Sequence, residues 1–498
     1  MFTDAVKVVE AVRKKFCGRH LLVVGDLMLD SYVWGSVERI SPEAPVPVVR
    51  VDHKTRSAGG AANVALNLNA LGCMVTLVGL VGADENGQQL LEIVQSAGVK
   101  TAIVSAPNRT TTCKTRILGG RQQMLRLDIE DLAEIPLELR NRLVAAAEAQ
   151  IPGSSAVILS DYGKGLLNEA ACRAIIRCAD SFGIPVLVDP KGLHYEKYSG
   201  CHLISPNRAE LAAAVSTDGT DLELLLKKGE VLRSQLRVDA LVVTLSELGI
   251  ALVTSGGIQR FPAVAREVFD VSGAGDTVIA TIAAGIAAGL DLEDAMGLAN
   301  LAAGTVVAKL GTVPVSSEEL QAVVASANEM SRAERTCTRE TLLNRVAQWR
   351  ATGRRIVFAN GCFDLLHVGH LALLQQAKKE GDCLVVALNT DRSVRALRGA
   401  GRPIISEEAR VNLVAALPGV DAVVLFDEES PLNLILAIRP NVLVKGADYS
   451  EEEVIGANEV KTWGGRVALI PLLEGFSTTA ILKRAIASAQ VSAQQMLQ

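Results

Sequence analysis

The sequence predicts two consecutive α/β units, each built on a mostly parallel sheet. Three observations carry this. Short apolar runs of strand length alternate with helical segments along most of the chain. Polar residues gather just after the strands, where open α/β sheets bind ligands. Two dissimilar turn segments, one rich in glycine and one holding paired histidines, give each unit its own chemical centre.

In the first unit, Leu21 to Gly25 reads as a buried strand ending near Asp26 and Asp30. Ser41 to Val51 is proline-studded and suits an edge strand or flap. Ser57-Ala58-Gly59-Gly60-Ala61-Ala62-Asn63 leads into an apolar helical run that stops at Leu71-Gly72. Val75 to Val81 is a strand, and Thr111 to Ile117 and Gln123 to Ile129 alternate like an antiparallel pair. Four more strands follow: Ala156 to Ser160, Val186 to Val188, Leu203 to Ser205 and Ala240 to Thr244. They run into Asp161-Tyr162-Gly163-Lys164-Gly165, Asp189-Pro190-Lys191, Asn207-Arg208-Ala209-Glu210 and Ser246-Glu247. The rhythm breaks near Pro314. It resumes at Arg355 with strands at Ile356 to Ala359, Leu384 to Leu388, Ala422 to Leu425 and Val442 to Val444. The expected division is residues 1–328, a linker at 329–341, and residues 342–498.

Composition narrows the partners. The 498 residues leave room for two or three domains, and 49% hydrophobic with 21% charged content describes a globular protein with large cores. A net charge of −5 without a basic stripe argues against nucleic acid. The nine cysteines form no C-x-x-C pair, which points to a reducing cytoplasm. No apolar run approaches the roughly 20 residues of a membrane span, and residues 1–19 lack a signal-peptide core.

The first centre is Asp270-Val271-Ser272-Gly273-Ala274-Gly275-Asp276-Thr277, followed by an alanine-rich helix from Val278. Small residues opening a helix expose backbone N–H groups, and the helix dipole adds partial positive charge, so the turn suits an anion. Asp276 beside it would repel that anion unless it has its own task. Deprotonating an alcohol that attacks a phosphoryl group is such a task. The plainer alternative is an ordinary helix start with a dipole-favoured aspartate.

Ser57 to Gly72 and Asp270 to Thr277 resemble the two signatures of ribokinase-type (PfkB) carbohydrate kinases, and Asn207 to Glu210 is similar to their N-x-x-E segment. The resemblance covers about residues 15–326 and implies a three-layer ribokinase-like domain with a small β lid. It also implies Asp276 as catalytic base, and Gly273, Ala274 and Gly275 as the hole for the γ-phosphate. Asn207, Arg208, Ala209 and Glu210 would serve ATP and Mg²⁺. Asp30, Gly59, Gly60, Asn63 and Lys191 would face the sugar. No resident protein metal site is expected.

The second centre is Asn360-Gly361-Cys362-Phe363-Asp364-Leu365-Leu366-His367-Val368-Gly369-His370. Two histidines three apart at a helix start can point at one phosphate. A zinc site would need a third ligand, and no histidine follows His370. The segment resembles the H-x-G-H motif of the cytidylyltransferase-like nucleotidyltransferases, a Rossmann-like fold. Lys445 and Ser477-Thr478-Thr479 match further landmarks. The resemblance implies that His367, His370 and Lys445 act on the transferred nucleotidyl group while Ser477, Thr478 and Thr479 hold phosphate.

The two halves in this order resemble the bifunctional enzymes of ADP-heptose biosynthesis for the lipopolysaccharide core. That implies ATP-dependent phosphorylation of D-glycero-β-D-manno-heptose 7-phosphate at O1. It also implies AMP transfer from ATP to heptose 1-phosphate, releasing pyrophosphate. A substrate that already carries phosphate calls for extra cations, and Lys114, Arg116, Arg126, Lys164 and Lys191 are unranked candidates. A homodimer through the kinase domain is expected. Another sugar kinase joined to a cytidylyltransferase, a flavin or NAD⁺ adenylyltransferase fusion, and a nucleotide-sensing module remain open alternatives.

Overall fold

The computed structural model describes residues 2, 4–120, 122–131, 133–264, 268, 270–309, 311–417 and 419–471, with backbone only for residues 5 and 328–334. The chain divides into two compact units, Met1–Ala325 and Ser326–Gln498. Residues 329–341, read as a linker, hold three things: the end of the helix Ser317–Arg335, the short strand Thr336–Cys337 of the second sheet, and the start of the helix Arg339–Ala351.

The first unit centres on a nine-stranded sheet. From one edge its strands are Gly257–Phe261, Ile250–Thr254, Ala240–Thr244, Leu203–Ile204, Val186–Asp189, Ala156–Ser160, His20–Gly25, Met74–Gly82 and Lys100–Ala106. The first three pair antiparallel and the rest are parallel. A parallel sheet is covered on both faces, which explains the unbroken apolar runs. Leu22, Val24, Val157 and Leu159 face one layer, formed with the helices Leu137–Gln150, Glu169–Ser181 and Leu222–Leu236. The alternate residues Leu21, Val23 and Ile158 are equally buried. Their side of the sheet meets the helices Ala61–Ala70 and Ala274–Ala287.

Chain order reverses around His20–Gly25: later strands add first on the Met74–Gly82 side and then on the Ala156–Ser160 side. Such a switch point opens a crevice at the carboxyl ends of the strands. Asp26, Asp161 and Asp189 stand at that end.

A separate four-stranded sheet forms the lid, in the order Pro47–Gly60, Leu27–Ile40, Thr112–Gly119, Gln122–Ile129. The proline-rich stretch is thus the turn and start of an edge strand. Residues 112–119 and 122–129 are the expected antiparallel pair.

The second unit has a six-stranded all-parallel sheet, ordered Thr336–Cys337, Ala422–Phe426, Cys383–Asn389, Ile356–Gly361, Val442–Gly446, Arg466–Ile470. Phe358 and Val385 pack into one core and Val357 and Leu384 into the other, so helices cover both faces. Ile356–Gly361 lies at the switch point, between Cys383–Asn389 and Val442–Gly446. His367 and Lys445 follow or end these central strands.

Candidate active sites

In the first unit Asp276 lies in the first turn of the helix Ala274–Ala287, 6% exposed. Gly273 is the cap residue, at φ 77°, and no side chain caps the helix. A left-handed turn without a Cβ lets the chain enter the helix here, with Ala274 N–H donating to Val271 O at 3.3 Å and no side chain capping the N–H groups that follow. A Cβ on Gly273 would lie 2.8 Å from Asn63 Nδ2, so the signature glycine also makes room for Asn63.

Two neutral donors grip the Asp276 carboxylate. Asn63 Nδ2 donates to Oδ2 at 2.6 Å and Tyr162 Oη donates to Oδ1 at 2.7 Å. Burial pushes the Asp276 carboxyl up to about 6, against the opposing pull of these two hydrogen bonds. The Asn63 amide is oriented in turn. Asn67 Nδ2 donates to Asn63 Oδ1 at 3.3 Å, and Thr277 Oγ1 donates to Asn67 Oδ1 at 2.8 Å. Asn63, Asn67 and Thr277 are all buried.

Tyr162 was legible only as part of a loop after a strand. Its backbone N–H donates to Asp26 Oδ2 at 2.8 Å, as does that of Lys164 at 3.1 Å. Asp26 is 4% exposed, and burial raises its carboxyl to about 6. Asp26 therefore fixes the loop that aims Tyr162 at Asp276.

Asp30 sits on the lid, buried, with Arg116 Nη1 donating to its Oδ1 at 2.5 Å. Gly59 lies beside it in the next strand, where any Cβ would overlap Asp30 Oδ2. Gly60, at φ 60°, brings the backbone against Asp26 O. Nearby, a cavity of about 260 Å³ is lined by Tyr32, Trp34, Arg56, Arg116, Asp270 and Thr312 among others.

Asn207 and Glu210 form a capping box at the helix Arg208–Ala214. Asn207 Oδ1 accepts from Glu210 N at 2.9 Å, and Glu210 Oε2 accepts from Asn207 N at 3.0 Å. This local role accounts for the N-x-x-E spacing. Arg208 donates to Gly219 O, and Ala209 occupies the first turn. Lys191 Nζ donates to Glu210 Oε1 at 2.7 Å. Lys191 thus bridges the Asn207–Glu210 group and the Tyr162–Gly163 loop, its Cγ lying 3.5 Å from where a Cβ on Gly163 would stand. Asp189 lies in the same field, its carboxyl pushed well above the ordinary range by burial and then by Asp276 and Glu210. Among the described residues, no group of three or more His, Cys, Asp or Glu side chains could hold a metal ion. A Mg²⁺ ion carried by nucleotide phosphates needs only one or two carboxylates. Asp189 and Glu210 fit that need.

In the second unit, His367 caps the helix Val368–Lys379 without a side-chain capping bond. The His367 and His370 rings stack at 3.9 Å, and Phe363 lies 5.1 Å from His370. Both Nδ1 atoms are buried without a hydrogen-bond partner. Burial lowers the pKa of both, and His367 adds to the effect at His370, which falls to about 4. Two orphaned ring nitrogens at an uncapped helix N-terminus fit an anionic ligand. Lys445 Nζ donates to Asn360 Oδ1 at 3.2 Å and lies over Tyr449; burial lowers its pKa.

The loop leading to His367 is strained. Phe363 and Leu365 have φ of 47° and 60°, which cost non-glycine residues about 1–2 kcal/mol each. Asp364 holds it by accepting from Ile404 N at 2.9 Å and Ile405 N at 3.1 Å, and by pairing with Arg402. Arg410, fully buried, donates to Cys362 O at 2.6 Å, Ile405 O at 3.1 Å and Asp391 Oδ1 at 2.7 Å. Asp364 and Arg410 were missed as site residues, since only the fold brings residues 402–410 against this loop. Ser477, Thr478 and Thr479 lie outside the described residues.

The architecture and the two sites define a sugar kinase joined to a nucleotidyltransferase. Residues 19–319 match the pfkB family carbohydrate kinases, and residues 358–484 match the cytidylyltransferase-like family. The chain belongs to the family of bifunctional HldE proteins. It is 50% identical to Bifunctional protein HldE of Koribacter versatilis over 485 residues, covering 97% of this chain and 100% of that one. The Methylobacillus flagellatus protein of the same name is 51% identical over 466 residues, covering 93% and 96%. Two solved structures share the first fold. Escherichia coli phosphofructokinase-2 in complex with potassium has a TM-score of 0.53 at 21% identity, covering 62% of this chain and 98% of that one. Arabidopsis thaliana ribokinase complexed with ribose and ATP has a TM-score of 0.50 at 20% identity, covering 61% and 98%.

Proposed function

We propose that the chain catalyses two steps of ADP-heptose biosynthesis, with Asp276 as the base of the first and His367, His370 and Lys445 serving the second. The kinase half phosphorylates heptose 7-phosphate at O1, and the other half adenylylates heptose 1-phosphate. The observation that carries the reading is the buried Asp276 carboxylate. It is held by two neutral donors and raised to about 6 beside an uncapped helix N-terminus.

ATP supplies the phosphoryl group in one half and the adenylyl group in the other. At O1, Asp276 accepts the hydroxyl proton while Asn63 and Tyr162 keep its oxygens in place. Gly273, Ala274 and Gly275 present N–H groups to developing phosphoryl charge. Asn207, Arg208, Ala209 and Glu210 border the nucleotide with Mg²⁺. Asp30, Gly59, Gly60 and Asn63 form the sugar side, and the lid keeps water out. In the second half the attacking sugar 1-phosphate is largely ionised at pH 7, so no base is required. His367, His370 and Lys445, with Ser477, Thr478 and Thr479, neutralise the crowded phosphates.

We further propose a homodimer through the lid. Leu125, Leu127 and Ile129 alternate along the outermost strand and are about half exposed. Their register partners Ile117, Thr115 and Cys113 continue that face. A second copy would cover it. A cytoplasmic location suits these substrates and the nine free cysteines. Among the described residues, no helix is long and apolar enough to cross a membrane.

Phosphorus NMR of the product from heptose 7-phosphate plus ATP tests the reading. A new anomeric phosphate is expected, and AMP transfer to heptose 1-phosphate from ATP. Turnover of the second half with CTP alone would overturn it.

A further inference from the structure

Five cations were candidates to hold the phosphate the substrate already carries, and the structure separates them. Arg116 is committed to buried Asp30. Arg126 makes a two-pronged pair with Asp128, both contacts at 2.9 Å. Lys164 pairs with Glu130, and Lys191 with Glu210. Among the described residues, Lys114 has no ion pair and no hydrogen-bond partner. Its Nζ lies 5.8 Å from the centroid of the Tyr162 ring, and its charge is felt at Asp30, Asp128 and Asp276 without pairing to any of them.

Its position is as informative. Lys114 lies on the lid strand Thr112–Gly119, directly across from Asp30 on one side and Asp128 on the other. Residues 114 and 116 share the lid face that carries Asp30 and Tyr32, opposite to the apolar row of Leu125, Leu127 and Ile129. Tyr162 links Lys114 to the base, since its hydroxyl donates to Asp276. Nor is Lys114 the hydrogen-bonded partner of Asp276, which Asn63 and Tyr162 satisfy.

A half-buried ammonium without a hydrogen-bonded counter-ion is costly: burial lowers its pKa although Asp30 and Asp128 stand across from it and pull the other way. We propose that Lys114 is the principal anchor for the phosphomonoester of the sugar substrate, binding it on the inner face of the lid. This rests on the reading that the kinase acts on a sugar phosphate. Arg116 and Lys164 border the subsite but stay with their carboxylates. The anchor makes the enzyme select a phosphorylated over an unphosphorylated sugar.

The test is steady-state kinetics of full-length wild type, Lys114→Gln and Lys114→Arg with heptose 7-phosphate and with unphosphorylated heptose. A charge-assisted contact predicts a KM for heptose 7-phosphate raised about 10- to 100-fold in Lys114→Gln. The KM for ATP should not move, and Lys114→Arg should recover much of the loss. Activity on unphosphorylated heptose should fall far less in Lys114→Gln than activity on heptose 7-phosphate, so the preference for the phosphorylated sugar should shrink about 10-fold or more. An unchanged KM for ATP, together with an unchanged thermal unfolding transition of the kinase unit, reports that this unit is intact in the variant. An unchanged KM for heptose 7-phosphate, or a loss confined to kcat or to the KM for ATP, overturns the assignment of Lys114 and leaves the kinase reading standing. Failure of wild type to phosphorylate heptose 7-phosphate overturns the kinase reading itself.

Discussion

Replacing Tyr162 with phenylalanine isolates one of the two hydrogen bonds that hold the kinase base. Burial raises the Asp276 carboxyl, and the Tyr162 and Asn63 hydrogen bonds pull it back to about 6. The Tyr162 phenol is itself raised well above its ordinary range, by burial first and then by Asp276, so it remains a donor throughout the working pH range. A hydrogen bond to a charged group contributes about 1.5–3 kcal/mol, and 1.36 kcal/mol corresponds to one pH unit. Losing it should therefore raise the carboxyl by about 1–2 pH units. The base must be ionised, so activity falls as pH drops through its pKa. In the wild type, kcat/KM for the sugar should fall on the acid side near pH 6. In Tyr162→Phe the acid limb should move up by that amount, with the rate largely recovered at pH 9. The assay is ADP release against pH at saturating ATP. An acid limb unmoved in the variant, or an equal loss at every pH, would refute the role assigned to Tyr162.

Further expectations concern both halves. Gly59→Ala places a methyl against the Asp30 carboxylate and should lower kinase kcat/KM about 10- to 100-fold with AMP transfer unchanged; normal kinase activity would remove Asp30 from the site. Arg410→Met removes a fully buried cation and strips three part-buried acceptors of their donor. It should cost the second unit about 3–5 kcal/mol in urea unfolding, and a change below about 1 kcal/mol would contradict the clamp. His370 should titrate at about 4 in the free protein by nitrogen-15 NMR. Added triphosphate, by favouring the charged ring, should raise that value; no movement would place the triphosphate elsewhere.

Much of this was visible in the chain itself. Most central strands of the two parallel sheets are short apolar runs followed by polar residues, so periodicity located them, whereas the lid strand Leu27–Ile40 and the strands Lys100–Ala106, Ile250–Thr254, Gly257–Phe261, Thr336–Cys337 and Arg466–Ile470 were not read from the sequence. The Gly-Ala-Gly-Asp turn announced a helix start fit for an anion, and Gly273 and Asp276 occupy that turn. What composition could not supply was pairing across distance. Tyr162 is 114 residues from Asp276, and Arg410 is 48 from Cys362; only the folded sheets bring them together. Lys191 shows the converse. The family resemblance set it toward the sugar, and the fold adds an ion pair with Glu210 from the next strand–helix connection that the sequence did not show. The N-x-x-E spacing, in turn, has a local explanation in helix capping that the motif alone concealed. Ranking the five cations likewise required knowing which carboxylates the lid sets beside them.

The most direct measurement follows both half-reactions by phosphorus NMR in wild type, Asp276→Asn and His370→Ala. The asparagine keeps the shape but cannot take a proton, so it should abolish phosphorylation at O1 and leave AMP transfer intact. His370→Ala should do the reverse. Undiminished phosphorylation in Asp276→Asn, or loss of both activities in either variant with the fold retained, would contradict two independent centres with these residues at their hearts.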